Sequence, residues 1–221
     1  MRLRVASWNV RSFRGGVDAA VRVLQPVAVD LALLQECGPK RGLARFARAL
    51  DMEFVSSHRL LGRVRNAVLY RAPWRVTGAE AIDLPRQGRA SPRGFVAAHL
   101  RTRGIELLAV SSHLGLVAKE RVIHAREVTD SLAGTDERLV LGIDLNEGSD
   151  GPAARWISER LFDAHAAAGE GPGETFPARS PTIRIDFVFV GDGIRIERAW
   201  IPSGGVARAA DHRPVVADVE V

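Results

Sequence analysis

Apolar segments of this chain repeatedly run out into an acid, an amide or a histidine, and no other feature restricts its folding as much. Leu31-Ala-Leu-Leu-Gln closes on Glu36, Leu107-Leu-Ala-Val-Ser-Ser on His113, and Leu139-Val-Leu-Gly-Ile on Asp144, with Asn146 two residues later. Asn9 closes the first strand candidate, Asp186 lies inside Ile183-Arg-Ile-Asp-Phe-Val-Phe-Val190, and Asp211-His212 precede the last strand. One such residue reads as a turn former, because Asn and Asp often start turns. A carboxylate within or beside an apolar strand is costly unless paired or bound to metal, so the recurrence points to one polar site built from strand ends. Residues two apart on a strand share a face, which predicts that Asp144 and Asn146 point into the same space.

The spacing of apolar residues supplies the elements. Strands are predicted at 2–9, 30–36, 53–57, 66–70, 74–80, 94–100, 105–112, 139–145, 183–190, 194–201 and 214–221, and helices at 17–25, 40–50, 118–132 and 153–160. Adjacent strands with short turns in the middle argue against a purely parallel, doubly wound sheet. Two mixed β-sheets packed face to face with helices outside account for the order better. At 221 residues the chain has room for one sizeable core, so residues 1–221 are read as a single domain.

The hydrophobic fraction of 46% and charged fraction of 26% are those of a soluble globular protein. No run approaches the roughly 18 apolar residues of a spanning helix, and the N-terminus enters a strand without a secretion pattern. The single Cys37 excludes an internal disulfide. A cytoplasmic monomer is the expectation. The net charge of +5 makes DNA or RNA a natural partner, although an arginine-rich composition also arises without any such role. Arg86, Arg89 and Arg93 read as a solvated loop, with contact to a polyanionic substrate as the lesser alternative.

The residue types at the strand ends suit a hard cation such as Mg²⁺, which takes oxygen ligands, usually one or two carboxylates with waters and substrate phosphate. Glu36 and Asp211 meet that demand and Asn9 adds a neutral oxygen. One cysteine and scattered histidines give no zinc spacing, no G-x-S-x-G marks a serine nucleophile, and there is no P-loop lysine. Asp186 has an alternative partner in Arg184. His58, His99, His124 and His165 are read as structural or surface residues, and Cys37 as a small buried one.

Ser7-Trp-Asn9, Leu34-Gln-Glu36, Asn66-Ala-Val-Leu-Tyr70, Ser112-His-Leu-Gly-Leu116, Gly142-Ile-Asp-Leu-Asn146, Thr175-Phe-Pro177, Arg184-Ile-Asp-Phe187 and Asp211-His-Arg-Pro214 follow one another along nearly the whole chain. In this order the segments resemble the endonuclease/exonuclease/phosphatase superfamily, the deoxyribonuclease I-like metal-dependent phosphoesterases. The resemblance implies a four-layer α/β/β/α sandwich. It places the metal on Glu36 with Asn9 and Asp211, and gives Asp144 the task of orienting or deprotonating the attacking water. It further implies that Asn146 holds that water or a phosphate oxygen, that His212 contacts the phosphate with its ring fixed by Asp186, and that His113 is a second phosphate-facing histidine. Asn66 and Arg93 fall in segments that often line the substrate site. Two departures stand out: Ala210 where the family commonly has Ser, and an extra residue after Gly142 in the segment leading to Asp144.

Together these readings lead to an Mg²⁺-dependent phosphoesterase, with Mn²⁺ as a possible substitute and one or two ions, working by in-line water attack. An endo- or exonuclease on DNA or RNA is the first expectation, and a phosphatase or phosphodiesterase for small or lipid phosphates the alternative. A non-catalytic binding module is the least favoured.

Overall fold

The computed structural model describes residues 1–57, 63–86 and 88–221; the reading of His58 therefore lies outside the described residues. In β1 (Arg2–Asn9) side chains alternate between two environments. Leu3 and Val5 enter one core and Ala6 and Trp8 another, because successive side chains of a strand point to opposite faces. The same alternation recurs in β2 (Leu31–Pro39), β7 (Ile105–His113), β8 (Arg138–Asp144) and β11 (Asp186–Val190).

One sheet joins β1 and β2 to β3 (Glu53–Ser56), β4 (Arg63–Tyr70), β10 (Gly169–Glu170), β12 (Arg195–Trp200) and β13 (Val215–Glu220), in the order β10-β12-β13-β1-β2-β4-β3. The other joins β7, β8 and β11 to β5 (Arg75–Asp83), β6 (Gly94–Thr102) and β9 (Phe162–Asp163), in the order β5-β6-β7-β8-β11-β9. Both are mixed: β1–β2 and β7–β8 are parallel, while β1–β13 and β8–β11 are antiparallel.

Three apolar layers hold the fold. Leu3, Val5, Leu31 and Leu33 meet Val96, Ala109, Val140 and Val188 between the sheets. Outside the first sheet, Trp8 and Leu34 pack with residues of α1 (Val17–Leu24), α2 (Lys40–Ala49) and α6 (Val206–Ala209). Outside the second, Phe95, Val110 and Phe187 pack with α3 (Ala118–Leu132) and α4 (Pro152–Ser158). Each large side chain buried this way contributes about 1.5–3 kcal/mol. The layering is the expected four-layer α/β/β/α sandwich. A short α5 (Ala164–Ala168), capped by Asp163, completes the helices. No helix of the described residues is long and apolar enough to cross a membrane.

The predicted elements agree with the structure to within a few residues at their ends, with two exceptions of consequence. Regular pairing of the 183–190 segment begins at Asp186, with Ile183 in an isolated bridge to Phe176. The third strand of the first sheet to reach the site, β4, starts three residues earlier than expected, at Arg63.

Candidate active site

On the strand faces that meet between the sheets, the apolar rows end at a common level. Ser7, Gln35, Ser111 and Gly142 come first. The Gln35 side-chain amide lies 3.3 Å from the Ser111 hydroxyl and from the Gly142 carbonyl and 3.4 Å from the Ser7 hydroxyl, while Ser111 donates to the Leu34 carbonyl at 2.7 Å. These contacts clasp β1, β2, β7 and β8 one step below the site. Beyond them stand Asn9, His113, Asp144 and Asp186, all buried. Asp144 is paired in register with His113 on one side and Asp186 on the other.

Asp144 is the hub. Its Oδ2 accepts from the Asn9 amide at 2.8 Å and lies 3.2 Å from His113 Nε2, and its Oδ1 accepts from the backbone N–H of Asn146 at 3.0 Å. Arg93 Nη1 lies 3.0 Å from His113 Nδ1. A guanidinium only donates, so Nδ1 faces a donor, while Nε2 stands between the Asn146 side-chain amide at 2.9 Å and Asp144 at 3.2 Å. Burial above all, opposed by Asp144 and reinforced by the Arg93 charge, lowers the His113 pKa to about 3, so this ring is neutral.

His212 is the electrostatic opposite. Its Nδ1 lies 2.9 Å from Asp186 and 3.8 Å from Asp144. Burial works against its charge, but the charge and hydrogen bond of Asp186, with the charges of Asp144 and Asp211, outweigh it and push the pKa up to about 10. The ring is an imidazolium whose Nδ1–H is committed to Asp186. Trp8 donates its indole N–H to the His212 carbonyl at 2.9 Å, and the Phe176 ring stands 4.9 Å from the imidazole. Thr175 Oγ1 accepts from the N–H groups of Ile185 and Asp186. The segments Ser7-Trp-Asn9 and Thr175-Phe-Pro177 are thus explained by what each member holds.

Glu36 reaches the site by a different route. Gln35 pairs with Asn66 and Gly38 with Val64, so Glu36 and Cys37 together oppose Arg65 alone. This bulge gives Glu36 a left-handed backbone, φ 49°, and turns its carboxylate out of the ladder to within 4.0 Å of His113 Nδ1. Cys37 is buried instead; burial, then the Glu36 charge, drives its thiol well above the usual range. Asp211 adjoins His212 but is paired with Arg11 at 3.1 Å. Asn66 is buried and donates to the Gly94 carbonyl.

One expectation needs refinement, and one alternative falls away. β8 ends at Asp144, so Asn146 is placed by a left-handed turn, φ 55°, rather than by strand alternation; its amide still reaches 2.9 Å from His113 Nε2. Arg184 does not pair with Asp186 but with Asp163, at 2.7 Å. His124 is structural as read, its Nδ1 accepting from the Gly115 N–H and its Nε2 bonded to the Pro85 carbonyl; His99 pairs with Glu137.

Sequence reasoning missed Glu147. Its carboxylate accepts from the N–H groups of Ala153 and Ala154 at the start of α4 and binds Arg121 at 2.7 Å, fixing the turn that carries Asn146. The signal was there in an acid four residues ahead of the Gly151-Pro152 helix start. Arg63 and Arg65 beside Asn66 were missed as well.

Among the described residues, the ligand atoms of Asp144, Asp186 and His212 lie within 4.8 Å of one another, close enough to share an ion. His212 Nδ1 already faces Asp186, and a hard cation takes oxygen donors, which this end of the molecule offers in Asp144 and Asp186 and, outside that cluster, in Glu36, Asp211 and Asn9.

Residues 6–212 match the family described as Endonuclease/Exonuclease/phosphatase family. The fold is similar to that of an endonuclease/exonuclease/phosphatase from Bacteroides vulgatus, with TM-score 0.88 and 19% identity over 100% of this chain and 99% of that one. It is similar also to a mannosyl-6-phosphatase of Bacteroides thetaiotaomicron, with TM-score 0.87 and 20% identity over 99% and 100% of the two chains. D. rerio TDP2 complexed with single strand DNA product gives TM-score 0.83 at 18% identity, over 100% of this chain and 99% of that one. A sequence comparison with curated proteins finds no match.

Proposed function

The chain belongs to the endonuclease/exonuclease/phosphatase family, whose members hydrolyse phosphate esters, and we propose that it is a divalent-metal-dependent phosphodiesterase acting on DNA or RNA by in-line attack of water. The observation that carries the reading is the placement of a buried Asp144, hydrogen-bonded by Asn9 and the Asn146 N–H, between a neutral histidine on one flank and a cationic one on the other. Titratable groups held in opposite protonation states by their surroundings mark a site for acid–base and charge-stabilising work.

Asp144 orients the attacking water and takes its proton. The Asn9 amide and the Asn146 backbone N–H keep that carboxylate aimed, and the Asn146 side-chain amide beside His113 is placed to hold the water or a phosphoryl oxygen. His212, with Nδ1 tied to Asp186, has Nε2–H to offer to the phosphoryl group as negative charge grows on it. Glu36, Asp211 and Asn9 would hold Mg²⁺ or Mn²⁺ as hard oxygen donors, once Arg11 released Asp211, and the ion would supply neutralisation of the charge that grows on the phosphoryl group and the leaving oxygen.

Nucleic acid is favoured by the net charge of +5 and by the arginines next to the site. A second reading, a small phosphate ester, is supported by the modest cavity there, about 200 Å³. Assays of plasmid, oligonucleotides, bis-p-nitrophenyl phosphate and p-nitrophenyl phosphate with Mg²⁺ and with Mn²⁺ separate them. Hydrolysis of the diesters and oligonucleotides is expected. Turnover confined to p-nitrophenyl phosphate would replace the first reading by the second.

A further inference from the structure

The 200 Å³ cavity opens directly beside the reaction centre, since Glu36 and His113 form part of its wall. The rest of the wall is basic: Arg63, Arg65 and Arg93 line it with Asn66. Glu36 is the sole acid among the described lining residues, so three guanidiniums face one carboxylate.

These arginines are only partly neutralised. Arg65 pairs with the exposed Asp83. Arg63 reaches the Ser12 hydroxyl at 2.7 Å and Arg93 reaches neutral His113. Neither forms an ion pair with a carboxylate of the described residues. The Nε atoms of Arg65 and Arg93 are buried without a hydrogen-bond partner among those residues. Guanidinium charges gathered around one cavity repel one another, and an anion seated between them offsets that repulsion. Guanidiniums are suited to this because their planar donors match phosphate oxygens.

The residues reach the cavity through local structure. β4 begins at Arg63, two residues from Arg65, and the bulge at Glu36 and Cys37 faces Arg65. The irregularity that presents Glu36 to the reaction centre thus also brings the basic start of β4 alongside it.

We propose that this cavity is a second phosphate subsite, which takes the phosphate flanking the scissile one, so that the enzyme selects substrates carrying two phosphates over isolated phosphate esters. The assignment rests on the phosphoesterase reading above and narrows its substrate class. A nucleic-acid strand supplies such a neighbour at every internal linkage, and a terminally phosphorylated dinucleotide is the smallest piece that does.

The test uses thymidine dinucleotides: TpT with its single diester, and pTpT and TpTp, which add one phosphate on either side. Binding to the full chain is measured by isothermal titration, and kcat/KM is measured with Mg²⁺. At least one phosphorylated dinucleotide should bind about tenfold or more tightly than TpT, and Arg63→Ala/Arg65→Ala should reduce that preference to within about twofold. Arg41→Ala/Arg48→Ala, which removes two exposed charges from α2, should leave it unchanged, and Arg63→Lys/Arg65→Lys should retain part of it. Equal binding of all three by the native protein, or a preference that survives in Arg63→Ala/Arg65→Ala, would overturn the subsite. A preference lost equally in the α2 variant would overturn it too, by showing that net charge alone is responsible. Because binding is read separately from turnover, absence of hydrolysis with the binding pattern intact would count against the phosphodiesterase reading and not against the subsite.

Discussion

Asn9 on β1 donates its side-chain amide to Asp144 on β8 at 2.8 Å, a bond that crosses from one sheet to the other between residues 135 apart in sequence. The hub of the site is therefore held by both halves of the sandwich, and its geometry depends on how the sheets pack. Asn9→Ala deprives a fully buried carboxylate of one of its donors. The expected cost is about 1–3 kcal/mol of stability, read by urea denaturation, together with a fall in turnover. Unchanged stability and unchanged turnover would show that the bond does not organise the site.

The Asp186–His212 pair gives a pH signature. The His212 pKa stands near 10 in the folded protein, against about 6.5 in an unfolded chain. A raised histidine contributes stability that is fully present below the unfolded value and is lost as pH rises through the folded one. Asp186→Asn should thus be less stable than the native protein by about 2 kcal/mol below pH 6.5, and the gap should close progressively toward pH 10. Thermal melts across that range check the sign; a gap that widens with pH would contradict it.

The proposed role of Glu36, Asp211 and Asn9 as oxygen donors predicts metal dependence. Excess EDTA should abolish hydrolysis, and added Mg²⁺ or Mn²⁺ should restore it. Glu36→Gln should raise the Mg²⁺ concentration for half-maximal rate by at least about tenfold, which a titration of rate against Mg²⁺ measures. Full activity in metal-stripped protein would refute the assignment.

Cys37 sits beside Glu36 in sequence yet is buried with its thiol held in the protonated form. It should resist iodoacetamide in the native protein and react after unfolding, as peptide mass mapping would show. Rapid labelling in the native state would mean that the bulge opens in solution.

Much of this was legible because strand alternation is a strong physical signal. The parity that sends Leu3 and Val5 between the sheets also sends Asn9 there, so strand-end polar residues read from sequence converge in space. Asp144, Asp186 and His113 follow the same rule from the second sheet. Glu36 was found through its segment, but the means of its exposure was not: a one-residue bulge has no local residue code, and the left-handed backbone at Glu36 is imposed by pairing with β4. Asn146 was placed correctly for an incomplete reason, since its turn is fixed by Asp144 and Glu147 rather than by the strand. The basic start of β4 was passed over because Arg63 and Arg65 acquire meaning only once the bulge brings them beside Glu36 and Arg93.

The central claim is that Asp144 is the proton-accepting hub of a phosphoester-hydrolysing site, and Asp144→Asn tests it most directly. The amide keeps the shape but brings N–H donors toward the donors of Asn9 and the Asn146 backbone, so a loss of about 1–3 kcal/mol in stability is expected, with the fold retained by circular dichroism. General-base help is worth about 10²–10⁴-fold in rate. The measurement is metal-dependent kcat of the folded variant on the best substrate found for the native enzyme. The account predicts a fall of that size with substrate binding preserved; near-native turnover in a folded Asp144→Asn protein would contradict it.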